Sequence, residues 1–260
     1  MNVKRISQLK AIDRLLTIMD ELREGCPWDK KQTFQSLRHL TIEETYELSE
    51  ALIENDIDEI KNELGDVLLH IIFYAKIGSE NKAFDIGDVA NAIAEKLIQR
   101  HPHIYGDVEV NNEDDVKKNW EQLKLKEGNK SVLSGVPKSL PSMVMASRLQ
   151  DKAAGIGFDW EDIQGVKEKI KEEFRELEAE IIKNDKERIT AELGDVFFSL
   201  VNYARFLGVN PDDALVSTNN RFRSRFAGME QLATSQGLKL NELTPQQWEI
   251  LWQNAKKQLN

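Results

Sequence analysis

A stretch that occurs twice limits what this chain can become. Residues 43–66 read EETYELSEALIENDIDEIKNELGD and residues 172–195 read EEFRELEAEIIKNDKERITAELGD, aligned without a gap at a constant offset of 129. Glu43 pairs with Glu172, Glu47 with Glu176, Glu63 with Glu192 and Asp66 with Asp195. Apolar residues elsewhere recur at helical spacing, and no segment alternates like a strand between turn signals. The chain is therefore expected to be an all-α tandem duplication rather than a short-period solenoid.

The spacing of the acids is chemically pointed. Residues three apart on an α-helix lie about 60° apart around the axis. Glu44 and Glu47 thus share one face, and Glu63 and Asp66 share a face of the next helix. Asn55–Asp56 is a good turn pair, and folding back there sets four carboxylates at one height on antiparallel helices. Unit charges about 4 Å apart repel by about 4 kcal/mol at an effective dielectric of 20. A divalent cation relieves that repulsion, and an all-oxygen ligand set points to Mg²⁺, with Mn²⁺ as the alternative. The competing view, a solvated acidic face, weakens because the same acids recur opposite ExxD. A capping box between Thr41 and Glu44 has no counterpart in the second copy, where Ile170 stands at that place.

Composition narrows the function class. A net charge of −10 argues against general nucleic-acid binding, which needs a basic footprint. The single Cys26 allows no internal disulfide and suits a reducing cytoplasm. Charged residues punctuate the N-terminal segment, so no signal pattern is expected there, and no apolar run approaches a membrane span.

In chain order, residues 6–22 form a helix, and Gly25–Asp29 (GCPWD) make a structural corner with Trp28 as its hydrophobic plug. The first acidic helix spans 41–54 and the second 57–77. The later half of the second is apolar nearly all round, which calls for a partner subunit. Gly65 and Gly194 each cost about 1 kcal/mol in a helix interior, and close backbone packing beside the acids is the simplest account. A helix at 84–100 places Lys96 and Arg100 four apart, as Arg221 and Arg225 stand in the second half. His101 and His103 are replaced there by Phe226 and Gly228, and read as local structure. A helix at 114–127 carries Trp120 and Lys124, matched by Trp252 and Lys256. The expected domains are 1–127 and 143–260, with 128–142 as a linker. In the second, helices are expected at 143–153 and 189–206, with Asp162 capping the acidic helix.

With GCPWD ahead of EExxE and ExxD, and RHPH behind, the chain resembles the MazG family of nucleoside triphosphate pyrophosphohydrolases over nearly its whole length. The resemblance implies an all-α pyrophosphatase fold whose helical bundles are completed by homodimerisation. It implies Mg²⁺-dependent cleavage of nucleoside triphosphates between the α and β phosphates. It assigns metal binding to Glu44, Glu47, Glu63 and Asp66, and to Glu173, Glu176, Glu192 and Asp195. It assigns nucleotide binding to Lys169, Arg188, Arg221, Arg225, Trp252 and Lys256, with Arg188 and Arg221 standing where Lys is common in the family. Such chemistry needs a water aimed in line at phosphorus. Glu172 or Glu176 is the carboxylate expected to orient it. Two rivals remain. A di-iron bundle needs Glu-x-x-His, whereas His70 lies four residues after Asp66 and has Ser199 as its counterpart. A non-catalytic dimerisation or regulatory module would fit one half. Because Lys169 corresponds to Leu40 and Arg188 to Glu59, the C-terminal copy is expected to carry most of the hydrolysis.

Overall fold

The computed structural model describes residues 3–110, 116 and 131–258. Among them every regular element is helical, and no helix is long and apolar enough to cross a membrane. The chain divides into two compact units, Met1–Val110 and Asn111–Asn260.

The first unit contains α1 (Val3–Gly25), α2 (Phe34–Glu54), α3 (Ile57–Glu80), α4 (Ile86–Arg100) and the single turn α5 (Pro102–Tyr105). Helix α2 begins seven residues earlier than the sequence suggests. Thr33 is its N-cap, in a capping box with Ser36, so two otherwise unpaired backbone N–H groups find partners. Thr41 lies inside the helix and donates to the Leu37 carbonyl at 3.0 Å, which removes any capping box with Glu44. The turn falls where Asn and Asp predict it. Asn55 adopts the left-handed region (φ 55°) and closes α2, and the Asp56 carboxylate accepts from the Asp58 and Glu59 N–H groups at 3.1 Å each.

Met19, Leu37, Ile72, Phe73 and Ile77 form the core of this unit, each contributing about 1.5–3 kcal/mol on burial. Trp28 does not plug the GCPWD corner; it is 55% exposed. Arg23 holds the corner instead, donating to the carbonyls of Asp29 and Gln32 and to both carboxylate oxygens of Glu80. Charge-assisted bonds to fixed carbonyls anchor a short loop without an aromatic anchor. Apart from residue 116, the expected helix at 114–127 lies outside the described residues, and Trp120 and Lys124 with it.

The second unit contains α6 (Ser142–Ala154), α7 (Ile163–Lys183), α8 (Lys186–Phe206), α9 (Pro211–Ser235) and α10 (Pro245–Gln258). Asp162 caps α7 as expected, accepting from Gln164 N at 2.8 Å and Gly165 N at 3.1 Å. The α7–α8 turn copies the first one: Asn184 has φ 55°, and Asp185 accepts from Glu187 and Arg188. Residues Met229, Ala233, Leu251 and Ala255 form the core between α9 and α10. Lys152 is 93% buried and donates to the carbonyls of Val132 and Ser134, tying the Gly- and Pro-rich stretch before α6 to that helix.

Among the described residues, Gly65 and Gly194 do not mark a close contact between elements: their own helix aside, a Cβ at either position would meet nothing within 4 Å.

Candidate metal and nucleotide site

Each helical hairpin gathers acids at one height. In the first unit, Glu44 of α2 and Glu63 and Asp66 of α3 each bring one carboxylate oxygen to within 4.8 Å of the others. In the second, Glu173 and Glu176 of α7 and Glu192 of α8 do the same. The sequence predicted four acids in each copy; each copy brings together three, and the threes differ. Glu47 stays outside the first group, although its charge acts on both Glu44 and Glu63. Asp195 stays outside the second, but lines the same cleft as its members.

The electrostatics are those of crowded carboxylates. Burial, then Asp66, Glu47 and Glu43, push the Glu44 carboxyl above its ordinary value. Glu63 is raised by burial first and then by Glu47 and Glu59. Burial, then Glu176, Asp195 and Glu173, raise Glu192. Two causes act together here, loss of water and like charge, and both disfavour the ionised form. Glu63 Oε2 is buried without a hydrogen-bond partner among the described residues. A buried carboxylate oxygen normally has a donor, and a divalent cation would supply the missing partner. The donor set therefore fits a bound dication.

The second site carries a cation of its own. Lys169, one turn before Glu173, lies 2.7 Å from Glu173 Oε1 and 2.9 Å from Glu172 Oε1. Those contacts hold its ammonium well above the ordinary lysine pKa. Leu40 stands in its place in the first copy. The cleft around Lys169 and the acids has a volume of about 470 Å³, with Trp160 and Ser199 in its wall.

Other expected nucleotide contacts are not in that wall. Arg188 is exposed in the first turn of α8. Arg221 donates to Ser217 and Thr218 on α9. The Arg225 guanidinium lies 6.0 Å from the Trp252 ring centroid, and Lys256 is exposed on α10. Arg225 and Trp252 thus gather where α9 meets α10. Glu172 touches Lys169 but is not among the three clustered acids.

Sequence reasoning gave the wall residues Trp160 and Ser199 no place in the site, and did not foresee the partners of His70. Ser199 carried a signal, because it replaces His70 at a position one turn beyond Asp195.

A model of the MazG nucleotide pyrophosphohydrolase domain matches residues 32–105 and, a second time, residues 161–227. The chain belongs to the MazG family. Among MazG relatives, the nucleoside triphosphate pyrophosphohydrolase of Escherichia coli is 39% identical over 259 residues, covering 96% of this chain and 98% of its own. The nucleoside triphosphate pyrophosphohydrolase/pyrophosphatase MazG of Thermotoga maritima is 43% identical over 249 residues, covering 94% and 95%. The solved structure of a mazG-related protein from Thermotoga maritima aligns at TM-score 0.39 and 25% identity, covering 44% of this chain and 98% of that one. The two domain matches contain the two hairpins, so the tandem duplication is one of MazG units. As a MazG protein the chain is a hydrolase of phosphoanhydrides.

Proposed function

We propose that this protein hydrolyses nucleoside triphosphates, both NTPs and dNTPs, between the α and β phosphates, releasing monophosphate and pyrophosphate. The cleft in the second unit carries this reading: three carboxylates within 4.8 Å of one another, beside a lysine aimed at them. A bound Mg²⁺, or Mn²⁺ in its place, would neutralise phosphate oxygens and favour a hydroxide-like water. Glu173, Glu176 and Glu192, with Asp195 in the same cleft, would hold it in this unit; Glu44, Glu47, Glu63 and Asp66 would form the corresponding set in the first.

The remaining residues bind, orient and hold charge. Glu172 or Glu176 orients the attacking water, Glu176 being solvent-exposed at the edge of the cluster. Lys169, beside Glu172 and Glu173, would be placed to hold the phosphate chain. Arg188, Arg221, Arg225 and Lys256 hold the outer phosphates, and Trp252 stacks on the base. Since one chain keeps these five residues out of the cleft wall, a homodimer is part of the reading. Exposed Leu193, Phe197 and Leu200 on α8 supply an apolar face for a second copy. The setting is the cytoplasm, the role nucleotide-pool house-cleaning, and neither nucleic acid nor membrane is a partner.

The test is to incubate the full chain with each common NTP and dNTP plus Mg²⁺ and to separate the products. Monophosphate with pyrophosphate is expected. Diphosphate with phosphate would place the attack at the wrong phosphorus and overturn the proposal.

A further inference from the structure

The acids of α8 continue into a longer stripe. Glu192, Asp195, Ser199 and Asn202 follow one another at helical spacing on one face, and all four line the acid cleft. Asn202 stands seven residues beyond Asp195, about 10.5 Å along the helix. There the cleft borders a second cavity of about 490 Å³, and Trp160, Phe198 and Asn202 belong to both linings. Leu149, Ala153 and Phe158 add to the apolar part of the second lining.

Asn202 is held in one orientation. Its Oδ1 accepts from Arg205 Nε at 3.1 Å and from Arg205 Nη2 at 2.8 Å, and a guanidinium only donates. Arg205 is itself fixed by both carboxylate oxygens of Asp159. The amide nitrogen of Asn202 therefore faces away from Arg205, and its two N–H groups have no acceptor among the described residues. Gln150, also in the lining of the second cavity, is 6% exposed. Its Nε2 donates to the Phe198 carbonyl at 2.9 Å, while its Oε1 is buried with no partner among the described residues. A mostly apolar cavity with a few placed polar groups is the usual form of a small-molecule site. The first copy fills the corresponding places: His70 and Phe73, both buried, stand where Ser199 and Asn202 do here.

We propose that this second cavity takes the nucleoside half of the substrate, with Asn202 donating to it where it joins the phosphates. The proposal rests on the reading that the acid cleft holds the triphosphate. A nucleoside is the occupant that the border selects. It is tethered to the phosphates, its base is flat with apolar faces, and its edges carry donors and acceptors for the two amides. Trp252 lines a separate recess with Phe222, Phe226 and Trp248. The rings of the cavity meet one face of the base and leave the other open to Trp252.

The experiment measures, on the full chain with Mg²⁺, the KM for NTP and inhibition by inorganic tripolyphosphate, which has the phosphates and no nucleoside. Asn202→Leu should raise the KM about 2–10-fold, the loss of one net hydrogen bond. Phe158→Ala should raise it about fivefold or more, the loss of a stacking ring. Tripolyphosphate should inhibit the parent and both variants equally. Phe158 is 81% exposed, so the fold does not depend on it, and its variant decides should Asn202→Leu fail to fold. Equal weakening of NTP and tripolyphosphate would assign these residues to the phosphate cleft and overturn the proposal. An unchanged KM in both variants overturns it too, whether Trp252 alone holds the base or a second copy covers the cavity. Failure of tripolyphosphate to inhibit the parent would overturn the triphosphate reading itself, and the proposal with it.

Discussion

Glu176→Gln and Glu47→Gln form a matched pair, because both acids are the last of EExxE and both are exposed. The structure separates them. Glu176 contributes an oxygen to the three clustered within 4.8 Å, whereas Glu47 stands outside its own group. Replacing Glu176 removes one anionic ligand from the cluster beside Lys169. A contact to a charged group is worth about 1.5–3 kcal/mol, a factor of about 10–150 in affinity or rate. Glu47→Gln removes only a neighbouring charge, in a unit where Leu40 stands in place of Lys169. Initial rates of pyrophosphate release across an Mg²⁺ titration, with circular dichroism and light scattering as fold controls, read both effects. Glu176→Gln should raise the Mg²⁺ needed for half-activity and cut turnover by that factor; Glu47→Gln should stay within about threefold of the parent. An equal loss in both variants, or a larger loss from Glu47→Gln, would refute the assignment of the chemistry to the second unit.

Lys169→Met should raise the KM for triphosphate about tenfold or more while tightening Mg²⁺, since a competing cation leaves the acids; kinetics at several Mg²⁺ concentrations separate the two. The raised carboxyls of Glu44, Glu63 and Glu192 bind protons more readily in the folded state, so their effect on stability falls as pH rises through the window above the ordinary carboxylate value. Glu80, held below that value by its hydrogen bond to Arg23, acts oppositely, and its contribution is lost at lower pH. Metal-free protein should therefore melt higher near pH 5.5 than at pH 8, and Mg²⁺ should remove most of that difference; a pH-independent Tm in EDTA would contradict the crowding. Gly194→Ala should raise stability by about 0.5–1 kcal/mol in urea titrations, because its Cβ enters open space.

Much of this was legible in the sequence because it is local. The acid spacing follows from helical geometry, and Asn followed by Asp encodes a left-handed residue and then a helix cap, in both copies. What escaped depends on packing between elements. The true start of α2 is set by Thr33, which has a rival cap in Thr41, eight residues on, that periodicity alone does not dismiss. The corner at Trp28 is held by Arg23 reaching across to Glu80, 57 positions away, a pairing that no local pattern announces. Which three of four acids converge depends on small differences in side-chain reach, and Lys169 beside Glu173 is one such difference.

The Asn–Asp turn has a mechanical consequence. It acts as a rigid elbow that sets how far α3 is rotated against α2, and α8 against α7. One residue inserted between Glu47 and Glu63 would rotate Glu63 and Asp66 by about 100° and advance them 1.5 Å, swinging both away from Glu44. Fifteen residues separate Glu47 from Glu63, and the same number separates Glu176 from Glu192. Ten of the fifteen side chains along that spacer differ between the copies, but the Asn–Asp pair and the length do not, as expected of a part whose job is to keep phase.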